Sequence, residues 1–258
     1  MSEENSVNSG YVGVGRFYDL FADNSDIPFF VKSAKKFGSP ILDIAAGTGR
    51  VSFALANEGY KVVALDQSPS MLEAARARLE LLDESIANNV MIIEGDMTDF
   101  NLDRKFQFII IPNSFGHALT TDAQLSTLHC IHNHLSDDGV FILDIYPGAL
   151  QHEQAGFKEN PVVLPDGTTV EREGEIKSDM LNQIMHLNLR YIVRDRNQNI
   201  IEEVKVESSA ALLFNREVDL LIRLSGFEIE KEFGGFDESP YSSESTRRIL
   251  ILKKNKEE

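Results

Sequence analysis

The sequence predicts an α/β protein: a doubly wound, mainly parallel sheet into which a small antiparallel β-sheet is inserted. Three observations carry this. Between residues 41 and 145, short and near-continuous apolar runs alternate with stretches of helical spacing. Between 157 and 214 that spacing stops, and partly alternating stretches separated by turn residues replace it. After 215 a helix followed by two strands returns to the earlier pattern. Residues 1–150 and 215–258 are therefore expected to form one domain, and 151–214 a second, inserted one.

Residues 1–15 are polar and contain glycine, and predict a loosely ordered lead. A helix is expected over 16–37, where Phe29, Phe30, Ala34 and Phe37 recur at helical spacing before Gly38-Ser39-Pro40. Buried strands follow at Ile41-Leu42-Asp43-Ile44, at 61–66, at 90–94, at 106–111 and at 140–145. Residues 50–58 predict the helix after the first strand. After the second, Ser68 and Pro69 supply an N-cap and a first helical proline, with Met71, Ala75, Leu79, Leu82 and Ile86 on one face. Asp122 is expected to open a helix carrying Leu125, Leu128, Ile131 and Leu135, and Asp137-Asp138-Gly139 to turn the chain into the fifth strand. Asp166-Gly167 and Asn197-Gln198-Asn199 mark hairpins of the inserted sheet. Asn215 reads as the cap of a helix bearing Val218, Leu221 and Leu224, and strands begin at Phe227 and Arg248.

Composition narrows the function. The 258 residues are 42% hydrophobic and 26% charged, ordinary for a protein with a sizeable core, and carry a net charge of −16. Such a field disfavours nucleic acid and anionic lipid as partners. No apolar run approaches the ~20 residues of a membrane helix, and the polar start, Met1 to Ser6, shows no signal-peptide pattern. The single cysteine, Cys130, fits a reducing compartment. The expectation is a cytoplasmic soluble protein, with its oligomeric state, monomer or homodimer, left open.

The chemistry centres on Asp43-Ile44-Ala45-Ala46-Gly47-Thr48-Gly49-Arg50, where the first strand turns into a helix. Small residues at 45, 47 and 49 allow a sharp turn and close approach of a ligand to free backbone N–H groups. Asp66, with Gln67 beside it, ends the next strand, where a carboxylate can accept ribose hydroxyls. A dinucleotide site and an S-adenosylmethionine site share this layout. Asp43 would repel a pyrophosphate and welcome a sulfonium or ammonium group, which favours S-adenosylmethionine.

With these elements the chain resembles class I S-adenosylmethionine-dependent methyltransferases, Ala45 standing where a glycine is commonest. The resemblance implies a Rossmann-like methyltransferase sheet and S-adenosylmethionine held by Asp43, Ala45, Gly47, Gly49, Asp66 and Gln67. It also implies that Asp96 and Met97 meet the adenine and that Pro112, Asn113 and Ser114 meet the methionine part. The stretch Asn113-Ser114-Phe115-Gly116-His117 is similar to one in glycine N-methyltransferase. The overall layout is similar to small-molecule N-methyltransferases, that family and the aminosugar N,N-dimethyltransferases among them. The resemblance implies that Asn113 and His117 face the donor or acceptor pocket, with His117 the first candidate to orient the acceptor or take a proton. Tyr18, as a second catalytic candidate, and Tyr146, Tyr191 and Arg190, as acceptor contacts, are added from segments expected to roof the cleft. Residues 22–30 contain none of the arginine that glycine N-methyltransferase turns on the cofactor carboxylate, which leaves that task to Arg16 or to another group and removes support for glycine as acceptor. The expected activity is methyl transfer to nitrogen or oxygen of a small molecule. An NAD-dependent oxidoreductase and a nonenzymatic adenosine-ligand binding protein are the alternatives.

Plainer readings stand beside several of these residues. Gly95-Asp96 is also an ordinary turn, and the three tyrosines are also ordinary packing residues. His129, His132 and His134 read as a solvated helix face, with no metal site expected. Cys130 reads as a partly buried apolar residue.

Overall fold

The structure is a computed structural model that describes residues 8–9, 11–147 and 154–255. In chain order its strands are β1 (Asn8–Ser9), β2 (Ile41–Ile44), β3 (Val62–Asp66), β4 (Val90–Glu94), β5 (Phe106–Ile111), β6 (Leu135–Ile145), β7 (Gln154–Lys158), β8 (Val162–Val163), β9 (Thr169–Asp179), β10 (Ile184–Arg194), β11 (Ile200–Ala211), β12 (Phe227–Phe233) and β13 (Arg248–Lys254). The helices are α1 (Gly15–Tyr18), α2 (Ile27–Phe37), α3 (Arg50–Asn57), α4 (Pro69–Leu79), α5 (Glu84–Ala87), α6 (Thr121–His134) and α7 (Asn215–Leu224).

The described residues form two sheets. The larger runs β12-β13-β6-β5-β2-β3-β4. Strands β2 to β6 pair in parallel, and β13 and β12 close one edge antiparallel. The apolar runs make these strands because both faces are covered. Every residue of β2 and β3 is buried. One face packs Phe29, Phe30 and Ala34 of α2 and Val51 and Leu55 of α3 on Ile41, Phe108 and Ile142. The other packs Leu128 and Ile131 of α6 and Val218, Leu221 and Ile222 of α7 on Leu42, Ile109 and Phe141. No helix among the described residues is long and apolar enough to cross a membrane.

The smaller sheet runs β1-β11-β10-β9-β7, with β8 on β9. Its register places Ser178, Met185 and Ala210 in one cross-strand row and Ile176, Leu187 and Ser208 in the next, all on one face. Further along that face Val170, Leu189, Tyr191 and Val206 share a core with Val14 and Phe17. Pro147 and Leu213 pair in parallel where the chain leaves for this sheet and where it returns.

Several expectations are corrected. The helix over 16–37 is two, separated by a 3-10 turn at Asp19–Phe21 and a bend in which Asp23 accepts from the Ser25 amide and hydroxyl. Phe17 packs under the smaller sheet while Phe29 packs on the larger, so one straight helix cannot serve both. The lead over 1–15 is not loose throughout: β1 pairs with β11 in parallel and Val14 is fully buried, while residues 1–7 and 10 lie outside the described residues. Helix α4 stops at Leu79, so Leu82 and Ile86 do not extend its face, and Leu81 is exposed. Thr120, not Asp122, caps α6, its hydroxyl accepting from the Ala123 amide. Strand β6 begins at Leu135, and the expected turn at 137–139 is an irregularity within it, since Leu135 pairs with Phe106 and Val140 with Phe108. Asn215 lies inside α7 and spends its side chain on the Tyr241 hydroxyl.

Candidate active site

The loop between β2 and α3 is left-handed at Ala45 (φ 55°), Gly47 (φ 59°) and Gly49 (φ 77°). A Cβ on Gly47 would meet nothing within 4 Å, so the space above that residue is open. Asp43, buried at the end of β2, accepts from Ser52 Oγ at 2.7 Å through Oδ2, and its Oδ1 has no hydrogen-bond partner. Burial pushes the Asp43 carboxyl up to about 7, against the pull of Ser52 and Arg50. Beside it, Asp66 accepts from the Gly47 amide at 2.8 Å and from the Ser68 amide at 2.8 Å. Burial raises this carboxyl too, and those amides oppose the shift. Asp66 borders the open space above Gly47 through the Gly47 amide, with the buried Asp43 and its bare oxygen nearby, and two acids at one hollow suit a cation better than a phosphate.

The N-terminal segment ties onto the loop. Thr48 Oγ1 donates to Asp19 at 2.6 Å, and Arg50 holds Asp26 through both guanidinium nitrogens. Gln67 is exposed at the end of β3. After β4, Asp96 accepts from the Thr98 amide and hydroxyl, each at 2.8 Å, which is the turn geometry of the plainer reading, and Met97 is buried behind it.

After β5, Ser114 Oγ donates to the Pro112 carbonyl at 2.9 Å, and Asn113 is left-handed (φ 50°). A 3-10 turn then brings His117 to the smaller sheet, its Nδ1 lying 3.0 Å from the Ser209 carbonyl. A carbonyl only accepts, so Nδ1 carries the hydrogen and Nε2 of the neutral ring is left with a free lone pair. Tyr11 meets the His117 ring edge-on at 6.0 Å, and Tyr18 meets Tyr11 at 5.5 Å. Burial raises both phenols, Tyr18 strongly, so Tyr18 stays a hydrogen-bond donor rather than a base.

Asn113, Phe115, Gly116 and His117, with Asp144 and Tyr146 at the end of β6, form one side of a cavity of about 490 Å³. The other side is the inner face of β9–β11, with Ile176, Met185, Leu187, Ser208 and Ala210. Asp144 is buried, and both its oxygens accept from Arg247 Nη1, at 3.0 and 2.8 Å. The Asn113 amide also donates to it. Burial carries its carboxyl up to about 6 despite Arg247. Arg247 donates through Nη2 to the Tyr146 hydroxyl at 2.6 Å and lies over the Tyr146 ring at 4.3 Å.

Of the expected acceptor contacts, Asn113, His117 and Tyr146 line this cavity together, and Tyr191 and Arg190 do not. Tyr191 is fully buried beside Phe17 and Phe21. Arg190, the next residue along an extended strand, points to the opposite face and bridges Glu173 and Glu203 at 2.8 and 2.9 Å. Arg16 reaches outward to Glu202 on β11. The triple histidine is not one solvated face. His134 is buried, its Nδ1 on the Cys130 carbonyl at 2.7 Å and its Nε2 accepting from the Leu102 amide at 2.9 Å. Tyr11, Asp144, Ser209 and Arg247 belong to the site and were missed. Asp144 alone had a sequence signal, as a charge inside an apolar strand.

Comparison with known proteins follows the same lines. A methyltransferase domain model matches residues 41–139. The cypemycin N-terminal methyltransferase of Streptomyces sp is 27% identical over 227 residues, covering 84% of each chain. The dTDP-3-amino-3,4,6-trideoxy-alpha-D-glucopyranose N,N-dimethyltransferase of Streptomyces venezuelae is 32% identical over 162 residues, 62% of this chain and 64% of that one. Among solved structures, an S-adenosylmethionine-dependent methyltransferase from Clostridium acetobutylicum shares the fold, with a TM-score of 0.76 and 18% identity over 94% of this chain and 96% of that one.

Proposed function

We propose, for a chain that is a class I S-adenosylmethionine-dependent methyltransferase, that the methyl acceptor is a nitrogen of a small molecule held in the cavity beside His117. The observation that carries this reading is the His117 ring, which lines the cavity and is fixed through Nδ1 on the Ser209 carbonyl. Two of the relatives are named for methylation of an N-terminus and of an aminosugar nitrogen, which supports nitrogen over oxygen.

The hollow at 43–49 fits the cofactor: a buried oxygen without a partner suits a positive ligand, and the open space above Gly47 leaves room for one. In this reading Asp43, Ala45, Gly47 and Gly49 line the methionine side, Asp66 and Gln67 the ribose, Asp96 and Met97 the adenine, and Pro112, Asn113 and Ser114 the loop opposite. S-adenosylmethionine, when bound, supplies a methyl group on a sulfonium, which needs no further activation. The protein's work is then placement and exclusion of water. Holding an acceptor at attack distance is worth ~7–11 kcal/mol in well-oriented systems. An amine attacks only when neutral, and His117 Nε2 is the group set to take its proton. Asn113 orients from the side, Tyr18, held neutral, stands behind the lining residue Tyr11, and Tyr146 is held by Arg247 at the end of the cavity.

Calorimetry with S-adenosylmethionine, S-adenosylhomocysteine and NAD, followed by turnover of a labelled methyl donor over matched amines and alcohols, tests the reading. Binding of both sulfur nucleosides and methylation of amines is expected. NAD binding without either nucleoside, or transfer to alcohols alone, overturns it. Asp66→Ala is expected to weaken the nucleosides about 10- to 100-fold, the worth of one or two hydrogen bonds to a charged group.

A further inference from the structure

We infer that the acceptor cavity selects an amine carried on an uncharged, mainly apolar body and rejects amines that carry a carboxylate beside the nitrogen. The inference rests on the methyltransferase reading above and names the substrate class of that same site. Its first support is the wall supplied by the smaller sheet. Ile176, Met185, Leu187 and Ala210 present hydrocarbon, and the polar groups among them, Ser178 and Ser208, are neutral. A space of about 490 Å³ lies within the range of small-molecule sites, which are mostly apolar with a few placed polar groups.

The second support is the charge inventory. Asp144 is the one carboxylate among the described residues that line the cavity, and no Lys or Arg is among them. Arg247, bound to two lining residues, is already matched: one nitrogen serves both Asp144 oxygens and another the Tyr146 hydroxyl. Arg172 is held by Glu159, and Arg50 by Asp26. Residues 148–153, outside the described residues, read Gly-Ala-Leu-Gln-His-Glu and contain neither Lys nor Arg. A carboxylate entering this cavity sheds its water and finds no unpaired Lys or Arg among the described lining residues to receive it, and Asp144 already holds the nearby Arg247. An apolar body loses nothing by the same move and gains from leaving water.

The test titrates the S-adenosylhomocysteine-loaded protein with phenethylamine and with phenylalanine, a pair that differs by one carboxylate. Phenethylamine is expected to bind at least tenfold more tightly. Met185→Arg places a cation on the apolar wall and is expected to shrink that preference to threefold or less, with S-adenosylhomocysteine affinity unchanged. Ser178→Arg, across the same strand pair, gives a second variant should the first fail to fold. Equal or tighter binding of phenylalanine to the wild type overturns the inference, as does binding of neither. Because S-adenosylhomocysteine binding is read first, these outcomes stand apart from a failure of the nucleoside site itself.

Discussion

The ring of His117 and the backbone carbonyl of Ser209 meet at 3.0 Å across the seam between the two sheets. The contact fixes which ring nitrogen is bare, and through the cavity wall it couples the acceptor side to the loop after β5. His117→Ala is expected to lower kcat about 10²-fold, the lower range for loss of a general base, with S-adenosylhomocysteine affinity within threefold of wild type. Single-turnover kinetics and calorimetry check it. An unchanged kcat would remove the base role and leave His117 a structural cap.

Asp43 should make the ligand-free protein less stable as pH rises. Its carboxyl sits at about 7, above the ordinary value of 3.8, so the folded chain keeps a proton that the unfolded chain has lost between those pH values. Stability from this group is therefore present below about pH 4 and declines towards pH 7. Asp43→Asn is expected to melt about 2–6 °C above wild type at pH 8, a gain of one or two kcal/mol in a chain of this size, and near parity at pH 4. The same variant should bind S-adenosylmethionine more weakly at pH 8 and lack the rise in affinity through neutral pH that is expected of wild type. A lower melting point at pH 8 would contradict the assignment.

Gly47 and Gly49 should separate binding from folding. A methyl on Gly47 enters open space, so Gly47→Ala meets only the left-handed backbone penalty, about 1–2 kcal/mol, and blocks the hollow. A methyl on Gly49 lies 2.6 Å from the Phe53 ring, so Gly49→Ala disturbs the start of α3 and should be the less stable of the two. Thermal melts and nucleoside titrations of both variants check the order.

His134→Leu is expected to cost about 1 kcal/mol of stability, because the Leu102 amide loses its acceptor in a partly buried place. Methyl transfer at a temperature where the variant is folded should match wild type. A loss of activity without loss of stability would place His134 in the chemistry instead.

Much of the larger sheet was legible because parallel strands are covered on both faces and so read as near-continuous apolar runs, as 41–44 and 106–111 do but for Asp43 and Gln107. The turn at 43–49 was legible because left-handed backbone demands small residues there. Arg247 and Ser209 were not, since their partners stand 103 and 92 positions away and no local pattern announces such pairings. Arg190 and Tyr191 show a subtler limit. Alternation says that adjacent strand residues point apart, but only the packing of Leu189 and Tyr191 on Val14 and Phe17 decides which face turns inward. The break in the first helix was hidden for the same reason, since Phe17 and Phe29 answer to different cores.

Pro147 and Leu213 stand side by side, so everything threaded between them begins and ends at one doorway. Closing a longer or shorter excursion there changes the chain-entropy cost by only ~0.6 kcal/mol per doubling of length. Chain closure therefore puts little limit on the length of what is threaded there; the limit comes from Val14, Phe17 and His117, which any replacement has to receive.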